Sequence, residues 1–81
     1  MFLGWYDPDK KKTMQEKIAA AARRYERKRG QLPAIALVNP SQLVDIEEMD
    51  VRPAAHVAVN TIYVGAAEDA ELERSPTQEA A

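Results

Sequence analysis

Between Thr13 and Gly30 the apolar positions recur at helical spacing. Met14, Ile18, Ala21 and Tyr25 follow one another at steps of four, three and four, so they form a single stripe among polar neighbours. Thr13 and Glu16 have the spacing of a capping box, in which each side chain accepts from a backbone N–H near the other. Ala19 to Ala22 is a run of the best helix former, and Gly30 offers the left-handed residue that commonly ends a helix. The pattern predicts an amphipathic helix over 13–30.

Downstream the period changes. Ala34 to Val38 is apolar at every position, which predicts a central strand buried on both faces. Phe2 to Tyr6 reads as a first strand weakened by Gly4, and Val51-Arg52 as the start of another that Pro53 confines to an edge or terminates. Val57 to Val64 is rich in β-branched residues. In one continuous strand, Val57, Val59, Thr61 and Tyr63 share one side, and Ala58, Asn60, Ile62 and Val64 the other. Asn60 can instead act as a turn that splits the segment.

Turn chemistry separates these elements. Asp7-Pro8-Asp9 is a turn, with Asp7 also suited to N-cap a helical turn started by Pro8. Asn39-Pro40 has the form of an N-cap followed by proline, predicting a short helical turn through Ser41, Gln42 and Leu43. The fold expected is α+β, a two-layer sandwich. One main amphipathic helix packs on a sheet of three or four strands, with a short second helical turn. If Phe2–Tyr6 is a strand, strand–helix–strand into Ala34 favours a right-handed parallel crossover. Residues 1–65 form the single domain, and 66–81 an acidic tail too poor in large apolar residues to fold.

Composition changes this picture in one respect. Of the 37 residues behind the 46% hydrophobic content, 14 are alanine, so the core is thin. A domain of such size buries only about 60% of the surface its unfolded chain exposes. Self-association is a natural remedy, and a homodimer the simplest form of it. The chain has no cysteine, hence no disulfide or thiolate metal site, and no apolar run near the roughly 18 residues that span a bilayer. The opening MFLGWYD lacks a cationic region and a long apolar stretch, so it is not read as a signal peptide. The expected location is cytoplasmic, with no membrane partner.

Charge is unevenly placed. Residues 1–31 carry nine Lys/Arg against four Asp/Glu, a balance of +5, and residues 32–81 carry two against nine, a balance of −7. Such asymmetry marks a nucleic-acid face, an acidic tail, or two halves that attract each other, within a fold or between subunits. Arg23, Arg24, Arg27, Lys28 and Arg29 crowd the last two turns of the helix, where cations favour the negative end of its dipole. Arg23 neighbours Arg27 on one ridge and Arg24 neighbours Lys28 on the next, with Lys17 and Lys10–Lys12 as extensions. These five are the candidate nucleic-acid-binding residues. Against that reading stand an overall pI near 5.3 and the lack of a second long helix.

Candidate chemistry is otherwise sparse. His56 is the one histidine, with no local partner for a triad or a metal. Asp45, Glu47, Glu48 and Asp50 crowd one loop, but DIEEMD lacks the glycine and spacing of a calcium loop and reads as a solvated acidic connection. With three glycines there is no phosphate cradle, and no dinucleotide, P-loop or zinc-helix motif is present. Trp5 and Tyr6 read as a cap on the thin core or a subunit contact, with base stacking as the sharper alternative. The expectation is a small intracellular, non-enzymatic interaction or accessory domain without cofactor or metal, self-associating and open to a protein partner. Nucleic-acid binding through residues 23–29 is the alternative.

Overall fold

The computed structural model describes residues 2–67. The predicted helix, α1, spans Met14–Arg29 and starts and stops where its end signals lie. The Glu16 N–H donates to Thr13 Oγ1 at 3.2 Å, and the Thr13 N–H donates to Glu16 Oε1 at 2.9 Å, so both halves of the capping box are made. At the other end Gly30 has φ 78° and donates its N–H to the Glu26 carbonyl at 2.8 Å.

Four strands form one sheet: β1 (Leu3–Tyr6), β2 (Ile35–Val38), β3 (Asp50–Pro53) and β4 (Thr61–Gly65), in the order β1-β4-β2-β3. A 3-10 turn, Pro40–Gln42, follows β2, with Asn39 as its cap. The architecture is the α+β arrangement expected, one helix on a four-stranded mixed sheet with a short second helical turn. As the apolar run implied, β2 is an inner strand, and β3 with Pro53 is an edge.

The crossover differs in one respect from the simplest expectation. β1 and β2 are parallel to each other, but β4 lies between them and is antiparallel to both. The β1–α1–β2 unit is therefore split, and its gap is filled by the last strand. The one parallel contact between neighbours joins β2 to β3, with Ala36 opposite Val51.

Alternation along the strands sorts the sheet into two faces. Ile62 and Val64 of β4 lie in register with Val38 and Ala36 of β2, and these four pack with Ile18, Ala21 and Tyr25 as the core under the helix. Each fully buried isoleucine or valine here contributes about 1.5–3 kcal/mol by transfer out of water. Leu3, Trp5, Met14 and Val51 border this cluster. The predicted stripe is thus the buried face of α1, with Met14 half-exposed at its first turn.

Two expectations need revision. The strand expected over 57–64 begins only at Thr61, because Asn60 takes a positive φ of 65° and breaks it; this is the splitting turn. Helix formation does not begin at Asp7-Pro8. Asp7 Oδ1 accepts from the Asp9 N–H at 3.0 Å, an Asx turn, and the helix starts six residues after Pro8. The expected disorder of the acidic tail concerns 66–81, of which 68–81 lie outside the described residues. Among those described, no helix is long and apolar enough to cross a membrane.

Candidate interaction site

The second face of the sheet, opposite α1, is covered unevenly: Ile35 at the start of β2 is 2% exposed, while Gly4, Tyr6 and Tyr63 are exposed. Outward alternation puts Gly4, Tyr6, Thr61, Tyr63, Leu37 and Arg52 there, across from the core positions. Tyr6 is 63% exposed and Tyr63 36%. Gly4 is opposite Tyr63 on the neighbouring strand, and a Cβ at Gly4 would come within 2.9 Å of the Tyr63 ring. The glycine that weakened the strand in sequence is thus the space in which this ring lies. Arg52 on the same face is held by Asp50, its Nε donating to Oδ2 at 2.8 Å.

Trp5 and Tyr6 do not act together. Adjacent strand residues point to opposite faces, so Trp5 turns toward the helix and Tyr6 away from it. The Arg24 guanidinium sits 4.2 Å from the centre of the Trp5 ring, a cation–π contact on the helix side. A two-ring base platform from this pair is therefore not formed.

The basic cluster is real but divided. Arg23, Arg24, Arg27, Lys28 and Arg29 are all exposed. Arg24 lies over Trp5, and Arg29 lies 5.9 Å from the centre of the Tyr25 ring. Arg23 and Arg27 share the outer ridge. Among the described residues no carboxylate comes within 4 Å of any of the five; the ion pairs there are Lys12–Asp7 and Arg52–Asp50. Of the proposed extensions, Lys10 and Lys11 are exposed, but two are engaged elsewhere. Lys17 is 4% exposed and turned inward, and Lys12 pairs with Asp7 at 3.6 Å.

Lys17 enters a polar knot that sequence reasoning missed. Its Nζ donates to Asn60 Oδ1 at 3.1 Å, and Gln42 Nε2 donates to the same oxygen at 2.9 Å. The Asn60 N–H donates to Gln42 Oε1 at 2.7 Å, while the Asn60 carbonyl accepts from the Asp7 N–H at 2.9 Å. Asn60 thereby ties together the end of β1, the first turns of α1, the 3-10 turn and the start of β4. The Asp7 carboxyl is held below the usual carboxylate range by the Asp9 N–H, then by Lys12 and Lys17, against the opposing effect of burial. These groups bond mainly to one another and clamp the scaffold.

A concavity lies beside the helix, a groove of about 510 Å³ between α1 and the loop before β3. Ile18, Ala19 and Ala22 form one wall, with Arg23 exposed at its rim. Ile46 and Met49, joined by a short antiparallel bridge, form the other, with Glu47 and Glu48 exposed between them. Leu32 and Pro33 close one end, and Leu32 is 61% exposed. The signal available in sequence was Leu32 itself, a large apolar residue stranded between Gly30 and Pro33. The acidic DIEEMD connection thus supplies four of its six residues to this lining, and His56 none. Comparison of the chain with protein-family models, curated proteins and solved structures finds no match.

Proposed function

We propose that this protein is a small intracellular, non-enzymatic interaction domain whose working state is a homodimer. The observation that carries the proposal is the apolar surface that one helix leaves uncovered. Tyr6 and Tyr63 stand on the second face of the sheet, and Leu32 stands at the end of the groove, all large side chains turned toward water. Exposed large apolar side chains on two faces of so small a domain support an interaction role. A second copy is the simplest partner, since a domain with so alanine-rich a core gains most from burying more surface.

Chromatography with in-line light scattering tests this. At about 100 μM, well above the micromolar range that a modest interface reaches, the mass is expected at twice the 9.0 kDa of the chain. A mass of one chain at that concentration rules the homodimer out.

A second reading is favoured by a specific observation: the five cations of residues 23–29 lack a carboxylate within 4 Å among the described residues. Such a cluster suits a phosphate backbone. This reading makes the protein a nucleic-acid-binding accessory protein. It predicts retention of single- or double-stranded DNA or RNA at about 50 mM salt, weakened by Arg23→Glu with Arg27→Glu and lost as salt rises. No retention at low salt disposes of it.

A further inference from the structure

We infer that the copies meet through the groove beside α1, the Arg23–Arg27 ridge of one lying on the Glu47–Glu48 loop of the other. This rests on the reading of the protein as a homodimer and chooses between its two uncovered apolar surfaces. The groove has walls of opposite sign: Arg23 on the helix side, Glu47 and Glu48 on the loop side. Neither wall is neutralised by the other, since among the described residues no ion pair within 4 Å involves Arg23, Arg27, Glu47 or Glu48. Such a surface is complementary to itself. A twofold axis sets residue i against j and j against i, so rotating a copy puts each basic ridge on an acidic loop twice over. The groove's apolar lining, Ile46 and Met49 on the loop side and the exposed Leu32 at one end, is what such a contact would bury.

The open sheet face lacks this property. Its charged pair, Arg52 and Asp50, is already satisfied within one chain at 2.8 Å, so nothing electrostatic there calls for a second copy. The basic first half supplies Arg23 and the second half supplies Glu47 and Glu48 to the two walls. Arg24 and Arg29, on the other flanks of the helix, are given to Trp5 and Tyr25 instead.

A charge exchange between full-length chains tests the interface. One variant carries Glu47→Arg and Glu48→Arg, so both its walls are basic; the other carries Arg23→Glu and Arg27→Glu, so both are acidic. All four positions are exposed, and circular dichroism verifies that each variant keeps its helix. Each variant alone is expected to dimerise on the order of a hundredfold more weakly than the parent, from like charges set face to face. Mixed one to one they are expected to form a heterodimer of near-parent affinity, read by native mass spectrometry. Failure to form the heterodimer, or full dimerisation of either variant alone, overturns the groove interface. If the parent dimerises and only Tyr63→Glu with Leu37→Glu separates it, self-association stands while the groove is wrong. A monomeric parent removes both.

Discussion

At the scale of single residues, two positions carry conformations that their neighbours require. Gly4 leaves room for the Tyr63 ring, so Gly4→Ala forces that ring aside despite the better strand propensity of alanine. A loss of about 1 kcal/mol is expected in urea unfolding, vanishing or reversing in the Tyr63→Ala background. An equal loss in both backgrounds would show that the ring is not the cause. Asn60 combines a positive φ with three side-chain and backbone partners. Asn60→Gly keeps the backbone but strands Lys17 and Gln42, costing about 1–3 kcal/mol. Asn60→Ala adds backbone strain of roughly 1 kcal/mol and is expected to be the worse of the two. Asp7 supplies the pH dependence. Its folded pKa lies below the unfolded one, so its contribution is present above the ordinary value of 3.8 and lost as pH falls through the folded value. Thermal melts of Asp7→Asn between pH 2 and 6 should therefore fall below the parent at the upper end and converge with it at the lower. Parallel curves would refute this.

Among the elements, α1 depends most on local chemistry, and its ends can be tested alone. Thr13→Ala removes the cap acceptor for the Glu16 N–H and is expected to cost about 1 kcal/mol. A cost near zero would mean that packing of Ile18, Ala21 and Tyr25 alone holds the first turn. This local character explains why α1 was legible in sequence to within a residue at each end. β2 was legible for a similar reason, since an unbroken apolar run admits few placements. β4 was less so, because Asn60 had to be judged as strand or turn, and its partners Lys17 and Gln42 are 43 and 18 residues away. The insertion of β4 between β1 and β2 is a matter of pairing between distant segments, on which periodicity is silent. Lys17 misled for a physical reason. A lysine stem flanking an apolar stripe usually carries its charge out to water, but here a distant amide accepts it inside. The groove was beyond sequence reasoning too, since its walls come from a helix and a loop more than twenty residues apart. Arg23, Leu32 and the Glu47–Glu48 pair stand out in the sequence one by one, with nothing there to bring them together.

The whole molecule brings together a thin core, a divided charge and two uncovered apolar surfaces. One helix cannot cover both faces of a four-stranded sheet, and the folded chain leaves its basic ridge and its acidic loop on either side of one groove. The twofold contact inferred at the groove would join the basic ridge and the acidic loop in one interface, with exposed ion pairs around an apolar centre. Such rim charges contribute less as ions screen them, the screening length falling from about 10 Å at 0.1 M to about 3 Å at 1 M. Sedimentation equilibrium of the unmodified chain across this salt range is the most direct test. A mass of two chains is expected at low salt, shifting toward the 9.0 kDa of one as salt rises. A mass of one chain at every salt concentration would contradict it.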